Sequence, residues 1–112
     1  MPRAEFDAVL LDSTRLTIVS LLAGAEWAEW SWVREAAELS ASALSKQIGT
    51  LERHGYVDVK KGYVGKRPRT WVALSTAGRT ALEKHAAALQ QIVDSSRRVT
   101  EQQSGTGQAE SP

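Results

Sequence analysis

The chain has 112 residues, no cysteine, 14 basic and 13 acidic side chains, and a formal net charge of +1. That length suits one small domain, whose core is too shallow to enclose a large active site. The lack of cysteine excludes disulfide scaffolds and thiolate metal sites, and no apolar run is long enough to span a bilayer.

Phe6, Val9 and Leu10 recur at helical spacing and predict a short amphipathic helix over 4–11. Asp12-Ser13 interrupts it. Ser13 is placed to cap a second helix over 14–23, with Gly24 as its stop. Leu16, Ile18, Val19, Leu21 and Leu22 cover more than one face of that helix, so it should pack between neighbours. Trp30-Ser31-Trp32 alternates aromatic and polar residues, as a very short strand would. Ser31 can cap a two-turn helix ending near Leu39, which needs packing to persist.

The most informative stretch is 39–55. Ser40 suits a helix start and Gly55 a left-handed stop. With Leu44 at zero and about 100° per residue, Ile48 and Leu51 fall within about 40° of it and form a narrow buried stripe. Ser42, Lys46, Gly49 and Arg53 lie opposite, with Ala43 and Thr50 flanking them. Gln47 falls toward the core side. This is a helix that buries one face and offers the other to a groove.

Two strands follow, over 56–64 and 69–74, joined by a turn at Gly65-Lys66-Arg67-Pro68. They predict a hairpin with a basic tip. A last helix runs from about Thr76 to Val99, with an apolar stripe of Leu82, Ala86, Leu89, Ile92 and Val93. The stripe is broader than the closing layer of a small core needs, so it predicts self-association, with Phe6, Val9 and Leu10 as its companions. Residues 1–99 are expected to form the domain. Residues 100–112 carry no large apolar residue and are expected to be a disordered polar tail.

The order helix, helix, short strand, helix, helix, hairpin, long helix is mainly α with a small β-wing. It resembles a winged helix-turn-helix. The resemblance is carried by Leu39-Ser40-Ala41-Ser42-Ala43-Leu44-Ser45-Lys46-Gln47-Ile48, by Leu51-Glu52-Arg53-His54-Gly55-Tyr56-Val57, and by Gly65-Lys66-Arg67-Pro68-Arg69-Thr70-Trp71 with Leu74-Ser75-Thr76-Ala77-Gly78-Arg79. These words resemble small single-domain regulators of the MarR family over about 6–93. The resemblance implies a homodimeric transcription regulator, with the recognition helix in the major groove and the wing on the backbone or minor groove. Matched position by position, it places Ser42, Ala43, Ser45, Lys46 and Gln47 at DNA, and Lys66, Arg67 and Arg69 on the wing. Lys46 stands where many relatives carry arginine, which weakens the expectation of a bidentate guanine contact. The longer terminal helices of larger relatives are lacking, so their ligand pocket does not carry over.

The charge distribution supports a nucleic-acid partner. Between Lys46 and Arg69 stand seven cations (Lys46, Arg53, Lys60, Lys61, Lys66, Arg67, Arg69) against Glu52 and Asp58. A local excess of this kind in a nearly neutral chain concentrates the field on one region. If about three cations per protomer neutralise phosphates, a dimer should show a salt slope of roughly −5. Lys46 and Gln47 are candidate base readers, for guanine and adenine respectively, and Ser42 or Ser45 can serve a base or a phosphate. A dimer would set two recognition helices about 34 Å apart and so favour a pseudo-palindromic site.

Trp27, Trp30, Trp32 and Trp71 are a candidate effector pocket, with core and hairpin packing as the plainer role. His85 with Glu83 faintly resembles metal-sensing relatives of the ArsR type. Two histidines without cysteine do not make a ligand set, so no metal or cofactor is expected. No Ser/His/Asp context marks a nucleophile, so no enzyme is expected. The N-terminus has no basic start followed by an apolar run and a cleavage site, which makes a cytoplasmic repressor the expectation. The rival is a winged helix recruited to bind a protein partner.

Overall fold

A computed structural model describes residues 5–110, with side chains as far as Gln103. The elements are α1 (Ser13–Leu22), β1 (Ala28–Glu29), α2 (Trp30–Ala36), α3 (Ala41–Arg53), β2 (Val57–Val64), β3 (Arg67–Leu74) and α4 (Thr76–Glu110). The fold is a winged helix, mainly α with a small β-wing, as the residue pattern predicts.

The first expected helix does not form. Residues 8–11 make only a turn and 5–7 have no regular structure, while Ala4 lies outside the described residues. Asp7 is the cause. Its Oδ1 accepts from the amides of Val9 (2.8 Å) and Leu10 (3.3 Å), a local closure that competes with a helix. The order is therefore α-β-α-α-β-β-α. The cap of α1 is Asp12, one residue earlier than expected, accepting from the Arg15 amide at 3.0 Å.

The first strand also lies earlier than the tryptophan pair. Ala28 pairs with Val72 and Glu29 with Trp71, antiparallel, and Trp30 already begins α2. The turn between α2 and α3 is made by Glu38, whose φ of 57° is left-handed. A non-glycine residue there carries a local cost that the packed helices must hold. Ser40 caps α3 by accepting from the Ala43 amide at 3.1 Å, and Gly55 closes it with φ 75°.

The sheet order is β1-β3-β2. Val57, Val59, Lys61 and Tyr63 of β2 stand opposite Leu74, Val72, Thr70 and Pro68 of β3 on the inner face. The connection is the two-residue Gly65-Lys66, with Gly65 at φ 63°, so Arg67 and Pro68 belong to β3 and not to the turn. The core collects Leu10, Ile18, Leu22, Leu44, Leu51, Val33, Val57 and Val72 from every layer.

α4 does not end near Val99. It continues to Glu110, through the segment expected as a disordered tail. Glu101, Gln102 and Gln103 are favourable helix residues, and lengthening a helix is far easier than starting one.

The N-terminal segment is fastened across the fold. The Asp7 amide donates to His85 Nδ1 at 3.1 Å, and the Tyr56 hydroxyl donates to Asp7 Oδ2. Phe6 meets the His85 ring edge-on at 5.2 Å between centroids. Donation to the Asp7 carboxylate, helped by burial and by the nearby negative charge, pushes the Tyr56 hydroxyl up to about 12. Raised above its unfolded value of 10.0, this group stabilises the fold fully below pH 10, and that contribution is lost as pH rises through about 12. Ultraviolet titration of Asp7→Asn should show one tyrosine ionising closer to pH 10 than in the wild type. An unchanged titration curve would mean that the contact with Asp7 does not hold the proton.

Candidate nucleic-acid interface

Helix α3 owes its orientation to three side chains. Leu44, Ile48 and Leu51 are buried, so the opposite face must look outward. Ser42, Ser45, Lys46 and Arg53 are exposed there, and Ala43, Thr50 and Gly49 are half-buried beside them. The side chains of Lys46 and Ser45 make no hydrogen bond or ion pair among the described residues, whereas Ser42 Oγ lies 3.3 Å from Ser40 Oγ. Arg53 donates to Thr50 Oγ1 at 3.1 Å, so both side chains are already engaged on the helix surface.

Gln47 does not stand with the outward group. Its Oε1 accepts from Arg15 Nη1 at 3.1 Å, while Arg15 Nε donates to the carbonyl of Val9 at 2.7 Å. This bridge ties α3 to α1 and to the N-terminal turn. It leaves Gln47 a positioning residue within the helix pair, with only its amide N–H groups free. The helical wheel already placed Gln47 toward the core, but nothing in sequence names Arg15 as its partner.

The wing cations divide in the same way. Lys66 and Arg67 are exposed at the hairpin tip, and their side chains make no hydrogen bond or ion pair among the described residues. Arg69 instead pairs through Nε with Glu29 Oε1 at 3.1 Å, joining β3 to β1. Both side chains of this pair stay partly exposed, at 36% and 41%. Lys60 is also committed, with its Nζ 4.6 Å from the centroid of a Trp27 ring and 5.4 Å from that of Trp71. Of the seven cations in the basic segment, Lys46, Lys61, Lys66 and Arg67 remain uncommitted.

The four tryptophans do not converge on one cavity. Trp27 and Trp71 share the outer sheet face with Lys60. Trp30 borders the groove between α3 and the hairpin, and Trp32 stands half exposed on α2. An effector pocket built from all four is therefore corrected: alternation along β3 sends Trp71 to the face away from Trp30.

The self-association candidates fall into three groups. Leu10 is 0% exposed and belongs to the core, so it cannot meet a partner. Val9 and Leu82 are half-buried against that core, and Ile92 is half-buried too. Phe6, Ala86, Leu89 and Val93 remain exposed, Leu89 at 54%. Sequence could not separate these groups, because core and interface residues share the same apolar signature.

Comparison with known proteins agrees with this architecture. Residues 14–93 match the family described as the winged helix DNA-binding domain. An uncharacterised protein of Methanocaldococcus jannaschii is 30% identical over 71 residues, covering 63% of this chain and 77% of that one. A transcriptional regulator homologue of Pyrococcus horikoshii superposes with a TM-score of 0.72 at 28% identity, covering 78% of this chain and 86% of that chain. A zinc-responsive MarR family member of Lactococcus lactis, ZitR, shares the fold with a TM-score of 0.56 at 19% identity, covering 80% of this chain and 61% of that one. The fold is that of a winged helix DNA-binding domain. The chain belongs to the winged helix DNA-binding domain family. No described helix is long and apolar enough to cross a membrane.

Proposed function

We propose that the chain is a cytoplasmic repressor that binds a pseudo-palindromic duplex site as a homodimer. In this reading α3 enters the major groove and the wing lies on the backbone or in the minor groove. The observation that carries it is the set of uncommitted cations, Lys46 on α3 and Lys66 and Arg67 at the wing tip, exposed on the two elements that flank the buried stripe of α3. If Lys61, Lys66 and Arg67 of each protomer meet phosphates while Lys46 reads a base, the salt slope is about −5. The dimer contact is the exposed part of α4 around Ala86, Leu89 and Val93, next to Phe6.

Lys46 acts as the reader and Arg67 as the anchor. Lys46→Ala should weaken the selected site about tenfold and relax preference at one base position. Arg67→Ala should weaken all duplexes alike and flatten the salt slope by about one unit. Gel-shift titrations on a site selected from genomic fragments and on a random duplex check both. Equal, sequence-blind losses from the two changes would end this division of roles. A folded protein that retards no duplex at low salt would instead leave the face to a protein partner.

A further inference from the structure

Arg15 of α1 and Gln47 of α3 meet in a fixed geometry. Arg15 Nε donates to the Val9 carbonyl at 2.7 Å. Its Nη1 donates to Gln47 Oε1 at 3.1 Å and lies 3.9 Å from Asp12 Oδ2. An arginine carries N–H donors and no acceptor, so the Gln47 amide can face it only with its oxygen. The other end of that amide is free. Gln47 Nε2 makes no hydrogen bond among the described residues. It is also accessible, because no buried side-chain nitrogen or oxygen among the described residues lacks a partner. The side chain as a whole is half-buried, next in sequence to exposed Lys46. Gln47 therefore offers N–H groups to solvent while its acceptor is turned toward α1.

We propose that Arg15 makes Gln47 a donor-only base reader, one that favours guanine over adenine. The inference rests on the DNA reading above and concerns which base that reading selects. An unrestrained glutamine pairs with adenine through both ends of its amide, accepting from N6 and donating to N7. That pairing needs Oε1 and Nε2 side by side against one base edge. With Oε1 held on Arg15, only the nitrogen remains for the base. Guanine presents two acceptors in the major groove, N7 and O6, whereas adenine is left with N7 alone and cytosine presents only a donor. The hydrogen bond from the guanidinium also polarises the amide and strengthens its N–H groups as donors. Arg15 touches no base in this scheme. It is a positioning residue, itself fixed by Val9 and Asp12, so the amide is oriented before DNA arrives. Lys46 is donor-only by nature. Two successive side chains of α3 thus select base edges that carry acceptors.

The test uses the full chain and a duplex selected from genomic fragments, with every base pair of the site replaced in turn. Affinities are compared as ratios within each variant, so that a change in overall charge cancels. Gln47→Glu keeps an oxygen for Arg15 and removes the N–H donors. It should abolish a preference for guanine at one position, by about tenfold, and favour cytosine there, whose N4 donates to a carboxylate. Arg15→Met removes the donors that hold Oε1, and should move the same position from guanine toward adenine. A merely structural bridge would lower affinity or melting temperature without changing the preferred base. If Arg15→Met does not fold, as thermal melting will show, Gln47→Glu decides alone. Wild-type preferences kept at every position by Gln47→Glu would mean that Gln47 reads no base. An adenine in the wild-type site at the position it alters would mean that the amide reads with both ends. A folded Arg15→Met protein with its guanine preference intact would remove Arg15 from the scheme. If the wild type binds no duplex, the DNA reading itself fails and this inference falls with it, a result distinct from the other three.

Discussion

Gly78→Ala is expected to lower the melting temperature by about 10 °C or more. An added β-carbon at Gly78 would stand 2.1 Å from the carbonyl oxygen of Tyr56 and 2.8 Å from Leu74 Cδ1. The first of these is backbone, so no side-chain rotation relieves it. The site is also pinned: that same carbonyl accepts from the Ser75 amide at 3.0 Å, and Ser75 Oγ accepts from the Gly78 amide at 3.0 Å. Overpacking at such a point costs about 1–3 kcal/mol or more, and each kcal/mol moves the midpoint of a domain this size by several degrees. Gly24→Ala is the control, because its β-carbon would meet nothing closer than the Leu21 carbonyl at 3.9 Å. Calorimetry on the two variants decides the matter. Equal midpoints for both would show that α4 does not approach the α3–β2 connector this closely.

The same contact bears on DNA binding. Tyr56 stands three residues past the end of α3, and Gly78 lies in the first turn of α4. Their approach therefore helps to set the angle between α3, the proposed recognition helix, and the helix proposed to carry the dimer. A Gly78→Ala protein that still folds should hold its two recognition helices at an altered separation. Operator affinity should then fall further than affinity for random duplex, since only the pseudo-palindromic site demands a fixed spacing.

How much was legible in the sequence varied with the range of the forces involved. Helix α3 was legible because its signals are local: a serine cap, an apolar stripe at helical spacing, and a glycine in the left-handed region. The hairpin was legible through its alternation and its glycine-led turn. Distant side-chain partners were not. Arg15 reaches Gln47 across 32 positions and Tyr56 reaches Asp7 across 49, and no spacing rule connects such pairs. The ion pair of Arg69 with Glu29 depends on a strand of two residues, too short to leave a periodic trace. Hence sequence presents Arg69 and Gln47 as unpartnered side chains, whereas in the fold each has an intramolecular partner. The Asp7 turn was missed for a related reason. Phe6, Val9 and Leu10 have helical spacing, but the carboxylate of Asp7 captures the amides that a helix would need. Leu10 is buried by that turn and by neither helix pattern nor dimer contact.

Leu89→Glu should convert the protein to monomers and remove operator binding while leaving the protomer folded. Leu89 is 54% exposed and Val93 39%, with exposed Ala86 one turn before Leu89, so apolar surface on α4 faces away from its own core. A two-fold contact along this stripe brings each side chain close to its own copy. Glutamate there sets like charges together in a desolvated seam, which costs far more than the lost leucine contact alone. The core is spared, because Ala81, His85 and Ala88 face inward on a different side of the helix. Light scattering should therefore report half the mass, with little change in the circular dichroism of the protomer. Splitting the dimer also removes the linkage between two half-sites, and that linkage alone multiplies affinity by about 10²–10⁴. Operator binding should fall by that order, while binding to random duplex, which a single protomer can still engage through Lys46, Lys61, Lys66 and Arg67, should fall much less. An unchanged mass would move the dimer contact away from this stripe. A halved mass with intact operator affinity would show instead that one protomer suffices for recognition, and that the spacing of two helices is not what selects the site.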